Sequence, residues 1–143
     1  MQEFQGGCHC GNVAYTLRWP SDSGLVLARC SCTFCTKHGA IYTAHRNAAL
    51  SVTVKDADAL IRYEFDTKTA YCYFCARCCV YLFATSKIDG REYAVINANS
   101  MKDFVAPSNI KAMNFEGETT ASRLARRSRT WIGDITIVEV KDR

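Results

Sequence analysis

With 143 residues, 48% of them hydrophobic and 22% charged, the chain has the size of one domain with its own core, and its composition excludes disordered, collagen-like and coiled-coil classes. Lysine and arginine number 18 against 14 acidic residues, a formal charge of +4, which suits an anionic small molecule as well as an acidic surface and selects no partner by itself. No apolar run approaches the roughly 20 residues of a membrane span, and the first eight residues lack the basic and apolar regions of a secretory leader, so a single domain over residues 1–143, in the cytoplasm, is expected.

Taken in chain order, the predicted elements are mainly β. Val13, Tyr15 and Leu17 alternate with Ala14, Thr16 and Arg18, the period of a half-buried strand. Trp19-Pro20-Ser21-Asp22-Ser23-Gly24 breaks the pattern. It returns as Leu50, Val52 and Val54 over residues 50–55, and as Ile61, Tyr63 and Phe65 over residues 61–66. Residues 71–74 and 81–85 read as two arms of a hairpin with Cys75-Ala76-Arg77-Cys78 at its tip, and residues 93–96 and 135–140 as later strands. Between them, residues 119–128 place Ala121, Leu124 and Ala125 at helical spacing, with Arg123, Arg126 and Arg127 on another sector. That predicts one short helix near the C-terminus. There is no internal repeat, low-complexity tract or linker.

Nine cysteines, at positions 8, 10, 30, 32, 35, 72, 75, 78 and 79, fall in C-x-C and C-x-x-C spacings rather than in a scattered disulfide framework. In a reducing compartment such thiols serve metals. In extended chain, residues i and i+2 point to the same side, so Cys8 and Cys10 can share one ion. Cys75 and Cys78 have the spacing of a zinc knuckle. Together these four make a closed, structural zinc site that crosslinks distant parts of the chain. Cys30-Ser-Cys32-Thr-Phe-Cys35 offers three ligands in six residues, the number that a catalytic zinc takes from protein when its fourth position goes to water or substrate. His38, Cys72 and Cys79 are the residues available to close that position, and spacing does not decide between the open and the closed site.

The segments Gly6-Gly-Cys-His-Cys-Gly-Asn-Val13, Cys30-Ser-Cys-Thr-Phe-Cys35 and Phe74-Cys-Ala-Arg-Cys78 resemble the glutathione-dependent formaldehyde-activating enzyme family, which includes centromere protein V. The resemblance covers about residues 5–115. It implies several small coiled antiparallel β-sheets around zinc, a structural ion on Cys8, Cys10, Cys75 and Cys78, and a second, exchangeable zinc on Cys30, Cys32 and Cys35 beside the active site. It also implies two Zn²⁺ per chain and a thiol such as glutathione as partner. Cys79 stands where the family usually has glycine, and Pro107-Ser-Asn109-Ile110 stands where a His-Ile pair often follows a proline.

The expected function is therefore that of a zinc-dependent carbon–sulfur lyase-like enzyme acting on a small-molecule thiol or thiol adduct. Lys37, Arg46 and Arg77 have the charge to meet substrate carboxylates, although nothing in the sequence places them at a site. The alternative is a noncatalytic zinc module for an acidic protein or nucleic acid, using the arginine-rich run 123–129; a charge run is more often a solvated face, and nucleic acid is not favoured. Aromatics at 71, 73, 74, 81 and 83 read as core or as cover for a metal site rather than as a base-stacking platform. Cys72 reads as a buried apolar thiol, and His45 as a structural histidine.

Overall fold

In a computed structural model, which describes residues 1–140, the alternating segments become two sheets. The elements run β1 (Gln2–Gly7), β2 (Val13–Trp19), β3 (Leu27–Cys30), α1 (Thr33–His38), β4 (Tyr42–Thr43), β5 (Ala49–Val54), β6 (Leu60–Tyr63), β7 (Tyr71–Cys75), β8 (Tyr81–Ile88), β9 (Arg91–Asn97), β10 (Lys111–Met113), α2 (Thr120–Thr130) and β11 (Asp134–Glu139). One sheet has the order β1-β2-β5-β11 and the other β10-β3-β4-β9-β8-β7-β6. Pairing is antiparallel except at two edges, where β11 runs parallel to β5 and β10 parallel to β3.

The first sheet follows directly from its side chains. Val13, Tyr15, Leu17 and Trp19 of β2 are buried beside Leu50, Val52 and Val54 of β5, with Tyr15 opposite Val52 and Leu17 opposite Leu50. Each such burial contributes about 1.5–3 kcal/mol against leaving the side chain in water. Trp19 belongs to the strand rather than to the break after it, and its indole N–H reaches Gly24 O at 3.3 Å. The second sheet packs onto the same core through Leu82, Phe83, Ile96 and Ala94. Its inner strand β8 is buried from Tyr81 through Ser86, because its other face lies under α1 and α2.

The strand expected over residues 61–66 stops at Tyr63. Asp66 and Lys68 both have φ near +55°, left-handed backbone that no strand continues through. The helix expected over residues 119–128 is α2, capped by Thr119, whose hydroxyl accepts from Ser122 N–H at 3.1 Å. α1 was not expected; six residues are too few to show a helical period. Among the described residues no helix is long and apolar enough to cross a membrane.

Candidate metal centres

Cys8 follows directly on β1, and the close approach of β1 to β2 sets its place. A side chain on Gly6 would collide with the Tyr15 ring, and one on Gly7 (φ +154°) with the carbonyl of Val13. The chain then turns so that Val13 N–H points at Cys8 Sγ, 3.3 Å away, a bond suited to a thiolate acceptor. Cys75 closes β7, and the turn that follows is held by Cys79 N–H to Cys75 O at 2.8 Å and by Cys75 N–H to Val80 O at 3.1 Å. Cys8 Sγ lies 3.7 Å from Cys10 Sγ, which lies 3.5 Å from Cys75 Sγ, close to the roughly 3.8 Å edge of a ZnS₄ tetrahedron with Zn–S near 2.3 Å. All four sulfurs, with Cys78, fall within 4.8 Å of one another. The donor set and spacing fit a four-thiolate ion. Burial pushes the Cys78 thiol up, but the backbone N–H groups of Cys10 and Val80 and the Cys75 thiol outweigh it and bring it down to about 6.

Cys79 has φ +63°. The knuckle thus keeps the left-handed turn that suits glycine, with a side chain on it that points to solvent.

Cys30 ends β3, Cys32 caps α1, and Cys35 sits in the first turn. The Cys32 sulfur accepts from Cys35 N–H at 3.4 Å. One strand-to-helix turn therefore converges all three sulfurs within 4.8 Å, again a fit to a thiophilic ion. Gly39 ends the helix in left-handed backbone at φ +60°. In the thiol form the charge collects on Cys30, brought down to about 5 by the hydrogen bond from Cys35, against burial, with the Cys32 N–H and the Arg126 charge assisting. The same bond and burial push Cys35 up. Tyr42 Oη is 3.1 Å from Cys35 Sγ and 3.0 Å from Tyr81 Oη. Burial raises both phenols, so they keep their protons.

The two candidate clusters differ in surroundings. The triad stands on the wall of a cavity of about 840 Å³, lined otherwise by Phe34, Tyr42, Cys72, Tyr81, Val95, Met113, Phe115 and three of the arginines of α2. Among the described residues no fourth histidine, cysteine or carboxylate joins the triad. His38 turns to Phe34 and Phe74, with ring centroids 4.7 and 5.2 Å away, and Cys79 is exposed and joins neither cluster. Cys72 lines the cavity as a buried thiol outside the triad.

Of the aromatics, Tyr73 and Phe83 are core, whereas Phe74 and Tyr81 stack at 4.9 Å and abut Phe34 of α1. Tyr81 reaches the triad through Tyr42, and Tyr71 is exposed. Arg77 pairs with Asp56 at 2.6 Å beside the knuckle; neither it nor Lys37, Arg46, Asn109 or His45 lines the cavity. Arg123, Arg126 and Arg127 do, although a charge run of this kind is more often a solvated face than a grip for carboxylates. Their signal was the i, i+3, i+4 spacing that puts all three on one helix sector.

Residues 3–115 match the family described as glutathione-dependent formaldehyde-activating enzyme. Among solved structures, a Rhodobacter sphaeroides protein is similar with 27% identity and a TM-score of 0.54, over 76% of this chain and 99% of that one. α2 and β11 lie beyond the matched residues.

Proposed function

The chain belongs to the glutathione-dependent formaldehyde-activating enzyme family, and from that membership we propose a carbon–sulfur lyase-like enzyme that makes or breaks the bond between a thiol sulfur and an aldehyde carbon. The observation that carries the reading is the three-cysteine cluster on a cavity wall with no fourth protein donor among the described residues. Cys8, Cys10, Cys75 and Cys78 would hold a structural zinc, and Cys30, Cys32 and Cys35 a second, two ions per chain. When bound at the triad, zinc supplies Lewis acidity and a template for a thiolate sulfur.

The chain's own groups do the rest. With Cys35 as a metal-bound thiolate, Tyr42, kept protonated by burial, would donate to it across the 3.1 Å contact and Tyr81 would donate to Tyr42; this would fix the orientation of Cys35 as a hydrogen-bonded outer shell fixes a ligand. Phe34, Val95 and Met113 keep bulk water from the reacting sulfur. In the adduct-forming direction a sulfur–carbon bond forms as the carbonyl π bond opens. The thiol proton ends on the former carbonyl oxygen, giving a hydroxymethyl-type thioether with no change of oxidation level. Cleavage is the reverse. Glutathione is the thiol that the family's description names, and nine cysteines without a disulfide suit a reducing cytoplasm.

A closed triad and a solvent-facing arginine run would favour a noncatalytic module; among the described residues no fourth donor joins the triad, and Arg123, Arg126 and Arg127 line the cavity, which supports the enzyme reading. The test uses cobalt-substituted protein, in which a thiolate joining a three-sulfur site intensifies the sulfur-to-metal charge-transfer absorption. Glutathione is expected to produce that change, to fail with Cys32→Ser, and to form its formaldehyde adduct faster in the presence of zinc-loaded protein by NMR. A survey of thiols with neither spectral change nor turnover overturns the enzyme reading in favour of the binding module.

A further inference from the structure

Three arginines of α2 enter the cavity wall with different fates. Arg123 donates to Asp66 at 2.9 Å and Glu118 at 3.3 Å, and Arg126 grips Glu118 with two bonds of 3.0 and 3.1 Å while lying 3.8 Å over the Phe115 ring. Their charges are spent within the protein. Arg127, 8% exposed, has no carboxylate within 4.0 Å among the described residues. Its Nη1 donates to the hydroxyls of Thr69 (2.9 Å) and Ser86 (3.2 Å). Among the described residues its buried Nε–H has no acceptor, and none is found for Nη2.

The used and unused atoms divide the guanidinium by geometry. Nε and Nη2 form its side-on fork, the edge that takes the two oxygens of a carboxylate in parallel bonds. A buried donor left unmade is costly, and a buried cation without a partner more so; burial and the neighbouring Arg126 and Arg123 charges bring the Arg127 guanidinium down to about 10. Hydroxyl partners and the Trp131 ring, 5.0 Å away, hold the group in place without neutralising it.

We propose that Arg127 is the carboxylate receptor of this cavity, so that the substrate class is a thiol, or its aldehyde adduct, carrying a carboxylate that reaches the Nε/Nη2 edge while its sulfur lies at Cys30, Cys32 and Cys35. This rests on the thiol-site reading above. It makes α2, beyond the residues matched to the family, an element that sets substrate charge in this chain, beside Arg29 and Lys111, which also line the cavity.

The test titrates cobalt-loaded protein with a ladder of ω-mercaptocarboxylic acids of increasing length and with their primary amides, reading the charge-transfer band. At one or more lengths the acid is expected to bind at least tenfold tighter than its amide, about the worth of one charge-assisted hydrogen bond. Arg127→Met is expected to bring the ratio to about one, and Arg129→Met, an exposed position on the same helix, to keep it. If loss of the Thr69 and Ser86 bonds unfolds Arg127→Met, Arg127→Lys keeps charge without the fork and is expected to lower the ratio at least threefold. Acids and amides that bind alike overturn the receptor and leave the thiol site standing; a ratio that survives at position 127 overturns the assignment to Arg127. Failure of every thiol to bind overturns both readings.

Discussion

The two cysteine clusters use the same donor atom for opposite structural ends. The four-thiol cluster joins the end of β1 to the end of β7, sixty-five residues apart between Cys10 and Cys75, and touches backbone N–H groups rather than a cavity. The triad is spelled in six consecutive residues on one turn, and it faces phenols, arginines and cavity. An ion at the first would close a long loop, and its binding free energy would be folding free energy. An ion at the second would constrain little that β3 and α1 do not already hold. Long-range ligation serves the fold, and local ligation leaves a site free to do chemistry.

The largest effect that tests this contrast is Cys75→Ser. Cys75 is fully buried, and removing one of four thiolates strands three others in a site whose occupancy, by analogy with small zinc domains, is worth about 10 kcal/mol or more. The cooperative thermal transition is expected to vanish in circular dichroism, and Cys8→Ser to behave the same way. Cys32→Ser is expected instead to cut zinc from two ions to one by elemental analysis, abolish the cobalt response to thiol, and leave a folded chain. Serine is a good helix N-cap, so the bond now made to Cys35 N–H survives the change and stability falls by under about 1 kcal/mol. Equal destabilisation by both variants would erase the distinction.

Tyr42→Phe separates support of the triad from ligation itself. It removes the hydroxyl between Cys35 and Tyr81 and leaves a buried phenol with one partner fewer, a cost of about 1–2 kcal/mol. Zinc at the central site is expected to dissociate faster into chelator while the knuckle ion stays. Loss of both ions at one rate would show that the phenol pair props the fold as a whole.

Both clusters were legible in the sequence because C-x-C and C-x-x-C spacings encode local geometry, and β2 and β5 because a strand with one buried face alternates. What was not legible depended on partners far along the chain or on elements too short to carry a period. β4 has two residues, β10 three and α1 six; their places come from pairing with β9, β3 and the triad. The arginines of α2 read as solvated because nothing local shows that Asp66, 57 residues earlier, and the Thr69 and Ser86 hydroxyls fold over them. Conversely Arg77, which had the charge for a substrate carboxylate, is taken by Asp56.

The smallest effect sharpens the comparison at the knuckle. Cys79 holds φ +63°, where a side chain costs an L-residue roughly 1–2 kcal/mol, and its thiol is exposed and outside both clusters. Cys79→Gly removes that cost and keeps the bond from residue 79 N–H to Cys75 O, which is a backbone bond. Glycine also gives the unfolded chain more freedom, which takes back about 0.5–1 kcal/mol. The net is a gain of about 0.5–1 kcal/mol, expected as a rise of a few degrees in Tm with two zinc ions retained. Because the knuckle serves the fold alone, thiol binding at the triad should not move. A Tm that falls, or a loss of zinc, would mean that the Cys79 thiol does something for the knuckle that its exposed position does not show.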